Sequence, residues 1–268
     1  MVPSLPPIGL GTWQNDDPAQ CTESVRTALK LGYRHIDTAE HYGNEAAVGD
    51  GIAAADVARG DIFLATKVHP ISGGMTYDEV IEEATASMER LDVEYLDLLY
   101  VHWPVGEYDA GETLDAFDQL VGDGLVRNVG VSNFDTSLLD EARDTLDSPL
   151  FAHQVEMHPF LQQEKLVGDA QQHDYTLVAY SPLARGEALT NSTICDIAEQ
   201  YETSPAQVCL AWLTSHENVV AIPKATSRTH LEDNLASRDL ELSEEGLARI
   251  DAIDQQNRFV ERDGAPWQ

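Results

Sequence analysis

The stretch YRHIDTAEHYGNE (33–45) opens as a short apolar run and closes on Asn44-Glu45, which reads as the start of a helix. Between the two, Asp37 and Tyr42 crowd a strand-to-helix junction. The same grammar recurs along the chain. After YRHIDT come IFLATKV (62–68), YLDLLYVH (95–102), VRNVGVSN (126–133), AHQVEMH (152–158), TLVAYSP (176–182) and NVVAIPK (218–224), with a weaker eighth run in SRDLEL (237–242). Between them lie SVRTALKLG, TYDEVIEEATASMERL, TLDAFDQLVGDG, SLLDEARDTL, STICDIAEQY and PAQVCLAWLTSH, with apolar residues at three- and four-residue spacing and caps expected at Thr76, Ser137 and Ser204. Alternating strands and helices imply parallel strands joined by right-handed crossovers, and eight such units favour a closed (β/α)8 TIM barrel over an open sheet. MVPSLPPIGLGTWQ (1–14) is expected to form a short β-hairpin before the first barrel strand, and SEEGLARIDAIDQQ (243–256) an extra helix after the last. No Pro/Gly/Ser linker divides the chain, so residues 1–268 are expected to be one domain.

Forty-seven acidic residues face sixteen basic ones, a formal net charge of −31. Such a field repels nucleic acid and anionic membranes. The acids are spread along the chain, and the lysines are only Lys30, Lys67, Lys165 and Lys224. That surface suits a halophilic protein, since molar salt screens self-repulsion over about 3 Å. The chain carries neither a signal-peptide pattern nor an apolar run long enough to span a bilayer, which points to the cytoplasm. Cys21, Cys195 and Cys209 form neither a disulfide framework nor a CxxC zinc pattern and read as packing residues.

In parallel barrels the active site lies at the C-terminal strand ends. Read in order, those ends give Asp37, Lys67, His102, Ser132-Asn133, Gln154 to His158, Tyr180-Ser181 and Lys224. A charge that ends a buried run is costly unless it has a partner or a task. A phenol is a weak acid with an ordinary pKa near 10, and a neighbouring lysine ammonium would lower that value while a carboxylate held the lysine in place. A neutral histidine could orient a substrate oxygen beside them. The set Asp37, Tyr42, Lys67 and His102 could therefore protonate a carbonyl oxygen. No side chain delivers hydride to the carbon, so a nicotinamide cofactor is implied. GLGTWQ (9–14) lacks the third glycine of a Rossmann fingerprint and precedes the first strand of the pattern, so a barrel-type cofactor site is required.

Two other readings compete. His153, Glu156 and His158 in HQVEMHP, with Asp37 and His102, could form the metal site of a barrel hydrolase, although strand alternation points His153 away from Glu156. A non-catalytic nucleotide-binding barrel that senses redox state would have no use for the complete Tyr, Lys and Asp relay.

The ordered motifs GLGTWQ, HIDTAEHYGNE, LATKV, YVHWP, GVSNF, HQVEMHP, AYSPL and IPKAT, from about residue 8 to 236, resemble the aldo-keto reductase superfamily. The resemblance implies reversible reduction of aldehydes or ketones by NAD(P)H, with Tyr42 as general acid in a tetrad with Asp37, Lys67 and His102. It further implies that Ser132, Asn133 and Gln154 bind the carboxamide and that Tyr180 stacks on the ring. Gly11, Thr12 and Trp13 would lie at the site's edge, with Ser181, Leu183 and Gly186 along the ribose and pyrophosphate. In IPKATSRTHLEDN (222–234), Lys224, Ala225, Thr226, Arg228 and His230 would surround the 2′-phosphate, with Asp233 and Asn234 near the adenine. Ala225 stands where the family often has serine and His230 where it usually has arginine, so NADPH is expected with NADH also usable. Trp13, His41, His102, Trp103 and Phe134 would wall the substrate pocket, and Trp267 would close it. The segments after HWP and SPL are short, as in bacterial members of the diketogluconate and general aldehyde reductase type. They imply an open pocket for small carbonyl compounds. A monomer and no metal are expected.

Overall fold

The computed structural model describes residues 5–70 and 74–268. Its eight strands are β1 (Leu10–Gly11), β2 (His35–Asp37), β3 (Phe63–Val68), β4 (Leu98–Val101), β5 (Val129–Ser132), β6 (Leu150–Glu156), β7 (Thr176–Tyr180) and β8 (Val219–Ala221). Each pairs in parallel with the next. The ring closes where Gly9 N donates to Ala221 O at 2.8 Å and Ala221 N donates to Pro7 O at 2.9 Å. The architecture is the expected (β/α)8 barrel.

The strand count differs at both ends. Leu10–Gly11 is the first barrel strand, and YRHIDT supplies the second. SRDLEL begins instead with a 3₁₀ turn, Ser237–Asp239, and forms no strand. The first strand escaped the pattern because it is short and glycine-flanked. Glycine is what the closure needs: a Cβ on Gly11 would come within 2.7 Å of the Ile222 carbonyl oxygen of the neighbouring strand segment. The hairpin expected over 1–14 is corrected as well, because Ile8 and Leu10 to Gly11 pair in parallel inside the barrel. Residues 1–4 lie outside the described residues.

Strand alternation sorts the core into two layers. Phe63, Ala65, Leu98, Tyr100, Ala152, Val178, Val220 and Ile222 fill the barrel interior, while residues of opposite parity such as Leu64, Leu99, Val131 and Leu177 pack outward against the helices. The inward parity continues to the strand ends. Lys67 follows Phe63 and Ala65, His102 follows Leu98 and Tyr100, and Gln154 follows Ala152, so the polar ring faces the barrel axis.

Helices follow the strands as expected over Pro18–Leu31, Tyr77–Leu91, Ala110–Gly122, Thr136–Thr145, Ser192–Gln200 and Pro205–Thr214. Thr76 and Glu79 form a reciprocal capping box, and Ser204 caps as anticipated, accepting from Gln207 N. Asp135 rather than Ser137 caps 136–145, its side chain accepting from Leu138 N. Glu45–Ala53 follows Asn44, and the extra C-terminal helix is Glu244–Asp251. Glu164–His173 had no visible start signal, because its first turn follows Gln163 in the left-handed region at φ 56°. No described helix is long and apolar enough to cross a membrane.

Candidate active site

At the C-terminal mouth a cavity of about 270 Å³ is lined by Asp37, Tyr42 and His102 together with the loops around them. Lys67 lies beneath it, fully buried, and donates from Nζ to Asp37 Oδ1 at 2.5 Å and to the Thr38 carbonyl at 2.7 Å. Gln154 Nε2 donates to the other Asp37 oxygen at 2.7 Å. The lysine nitrogen sits 5.2 Å from the centre of the Tyr42 ring, and the Tyr42 and His102 rings lie 5.8 Å apart, nearly perpendicular.

Burial sets the proton affinities. It raises the Asp37 carboxyl and lowers the Lys67 ammonium, and each partner's charge opposes the shift in the other. Burial first, and then the Asp37 charge, push the Tyr42 phenol well above its ordinary value of 10. The depression expected from Lys67 is therefore absent: desolvation, with the Asp37 charge beside it, prevails. Burial, then Lys67 and the imidazoles of His69 and His41, hold His102 well below its ordinary 6.5. At neutral pH the site presents a protonated phenol and a neutral imidazole.

Local structure fixes these groups. Asn44 accepts from Thr38 Oγ1 at 3.1 Å and donates to the Thr12 carbonyl at 2.9 Å, tying the loop that carries Trp13 to the end of β2. Asn133 and Ser181, just past β5 and β7, adopt left-handed φ values of 65° and 48°. Such conformations cost energy in non-glycine residues and cluster at sites that must aim polar groups. Asn133 Nδ2 donates to His102 O at 3.0 Å, its Oδ1 accepts from Tyr180 OH at 2.8 Å, and Ser132 Oγ donates to Gln154 O at 2.9 Å. Two buried cavity-lining atoms, Thr12 Oγ1 and His102 Nδ1, have no hydrogen-bond partner among the described residues. A polar ligand that brings its own donors and acceptors fits them.

The remaining sequence-chosen residues fall into three groups. Gly11, Thr12, Trp13, His41, Trp103, Ser132, Asn133, Gln154, Tyr180, Ser181 and Lys224 line the cavity. Leu183, Gly186, Ala225, Thr226, Arg228, His230, Asp233 and Asn234 are not among the residues that line it. Arg228 pairs with Glu232 at 2.8 Å, and Asp233 accepts from Ser204 Oγ and Gln207 Nε2, both at 2.7 Å. Phe134 is a correction: it is buried behind the wall, with its ring against Tyr108 at 5.5 Å. Trp267 does not close the cavity but backs Trp103 at 5.6 Å, under the Arg258 guanidinium. His153 accepts from Phe134 N on the outer face, whereas Glu156 and His158 bond each other at 3.1 Å. Among the described residues no group of three or more His, Cys, Asp or Glu side chains could hold a metal ion, so the hydrolase reading loses its site.

Sequence reasoning missed part of the lining: His69, Pro182, Ile222, Val260, Glu261 and Arg262. His69 could have been found, since it follows Lys67 at two-residue spacing. The tail residues could not, because no periodic element carries them. They are placed by Glu156, fully buried at the end of β6, whose carboxylate accepts from Phe259 N at 2.8 Å and from Val260 N at 3.0 Å.

Residues 7–255 match the aldo/keto reductase family. The chain is 38% identical over 264 residues to a methylglyoxal reductase of Escherichia coli O157:H7, covering 97% of each chain. It is 39% identical over 254 residues to a glyoxal reductase of Bacillus subtilis strain 168, covering 95% of this chain and 91% of that one. Among solved structures, an aldo-keto reductase from a Medee basin deep-sea metagenome library superposes with a TM-score of 0.91 at 32% identity, over 97% of this chain and 95% of that one. Fold, site and relatives agree: the chain belongs to the aldo/keto reductase family, whose reaction is the reduction of aldehydes and ketones with a nicotinamide cofactor.

Proposed function

We propose that Tyr42 is the proton donor of an NADPH-dependent reduction of small aldehydes or ketones, with Lys67, Asp37 and His102 as its supporting groups. The nicotinamide cofactor, when bound, supplies the hydride. The observation that carries the reading is the buried Lys67–Asp37 pair beneath a phenol that burial keeps protonated. A protonated phenol can donate as negative charge develops on a carbonyl oxygen, and the adjacent ammonium steadies the phenolate left behind. Neutral His102 can orient that oxygen without competing for the proton. In the alcohol-oxidising direction the same groups run in reverse.

Ser132, Asn133 and Gln154 would hold the carboxamide and Tyr180 the ring face. For the 2′-phosphate, Lys224 lies in the loop before the helix Arg228–Ala236 and Arg228 opens it, at a helix N-terminus that favours an anion. His230 follows in the first turn of the same helix. NADPH is the expected cofactor, and NADH is usable because Ala225 offers no hydroxyl. Relatives acting on methylglyoxal and glyoxal support a small carbonyl substrate. The enzyme is read as a single unit over 1–268, monomeric and cytoplasmic, and the net charge of −31 supports a halophilic habit.

Oxidation of NADPH and of NADH, followed by absorbance in molar KCl with a panel of aldehydes and ketones, tests the reading. Turnover with a higher kcat/KM for NADPH is expected. A strong NADH preference overturns the cofactor assignment, and no turnover with any carbonyl overturns the reaction.

A further inference from the structure

Most of this chain's cations are matched by carboxylates, as its 47 acids allow. Arg26, Arg59, Lys67, Arg90, Arg127, Arg143, Arg228, Arg238, Arg249 and Arg258 each form an ion pair. At the barrel mouth Arg185, Lys224 and Arg262 form none with any of the described residues. The first two lie on the cofactor side, Lys224 in the cavity wall and Arg185 with its guanidinium 5.0 Å from the centre of the Trp13 ring. On the reading proposed above, the cofactor's phosphates would account for these two. Arg262 lines the same cavity from the C-terminal tail, against His69 and Trp103 rather than Trp13.

Its surroundings are built to hold it there. Arg262 Nη1 donates to His69 Nε2 at 2.8 Å, and its guanidinium lies 5.4 Å from the centre of the Trp103 ring. His69 stacks on His41 at 4.3 Å and meets the edge of His102 at 4.9 Å. The guanidinium is thus one imidazole away from the group that would orient the carbonyl. Glu261, the nearest acid in sequence on the same wall, accepts from Trp267 Nε1 at 3.3 Å and forms no pair with Arg262. Glu156 ties the tail to the end of β6 by accepting from Phe259 N and Val260 N. A guanidinium uses one donor on His69 and keeps others in a planar fork that matches a carboxylate.

Resting on the carbonyl-reductase reading, we infer that Arg262 is a specificity-determining residue that binds a carboxylate of the substrate, selecting short oxo acids whose carboxylate lies a few bonds from the reacting carbonyl. The substrate is then an anion on a strongly acidic protein. Screening over about 10 Å at 0.1 M salt confines the protein's repulsive field, so the wall cation decides at contact range. Charge-assisted hydrogen bonding of this kind corresponds to roughly a tenfold to hundredfold preference.

The test compares 4-oxobutanoate with its neutral isostere 4-oxobutanamide at one fixed salt concentration, on the parent enzyme and on Arg262→Gln. The parent should prefer the acid by about tenfold or more in kcat/KM. Arg262→Gln should remove that preference through a higher KM for the acid, with kcat/KM for the amide falling less than that for the acid. Calorimetric binding of butanoate, which has no carbonyl to reduce, to the parent and variant with NADPH bound gives a second readout. Weaker binding in the variant supports the carboxylate site even if turnover fails for other reasons. Equal kcat/KM for acid and amide in the parent, equal losses for both in the variant, or unchanged butanoate binding would overturn it. Turnover of the amide without preference for the acid sinks this inference alone and leaves carbonyl reduction standing.

Discussion

Lys67 and Asp37, thirty residues apart in the chain, meet inside the barrel with Nζ 2.5 Å from Oδ1 and both side chains essentially removed from water. Neighbouring strands supply them, β3 and β2. Breaking such a pair leaves a lone buried charge, which typically costs about 3–5 kcal/mol.

Lys67→Met should therefore lose both stability and activity. Urea unfolding should show a loss of about 3 kcal/mol, softened if Asp37 takes up a proton. Carbonyl reduction should fall about a hundredfold or more, because the phenolate loses its counter-charge. A variant as active and as stable as the parent would remove the pair from the chemistry.

Stability should fall as the pH drops through 6.5. Burial holds His35 and His153 at about 3, and His102 well below 6.5, so all three stay neutral in the fold while the unfolded chain takes up protons. The unfolded state binds more protons between those values and 6.5, so each histidine contributes a slope of up to about 1.4 kcal/mol per pH unit, destabilising toward acid. Urea midpoints at pH 7.5, 6.5 and 5.5, compared with those of His153→Gln, measure it. An unchanged midpoint across that range would contradict the burial of these rings.

Glu156→Ala should loosen the tail without dismantling the barrel. Two backbone N–H groups, Phe259 and Val260, lose their acceptor, and the wall carrying Arg262 loses its anchor. KM should rise about tenfold with kcat changed far less, and cleavage by a protease after residue 256 should accelerate. A tail as resistant to cleavage as the parent's would show that Glu156 is not its anchor.

What the sequence makes legible follows from burial. IFLATKV and TLVAYSP stand out because both faces of an inner barrel strand are covered, by the interior on one side and helices on the other. Leu10–Gly11 is invisible to the same reading, since its glycines serve the close approach to Ile222 rather than strand preference. Lys67 and His102 could be singled out because charge at the end of a buried run is expensive. Val260 to Arg262 could not, because their position depends on a carboxylate about one hundred residues earlier, Glu156. Tyr42 shows a different limit: its neighbours were readable, but the desolvation that raises the phenol of this half-buried, cavity-lining side chain was not.

The most direct measurement is carbonyl reduction by Tyr42→Phe alongside its affinity for NADPH. Removing one hydroxyl should lower kcat by about a hundredfold or more while the dissociation constant for NADPH moves less than about twofold. A Tyr42→Phe enzyme that reduces aldehydes at the parent rate would contradict the assignment of Tyr42 as the proton donor.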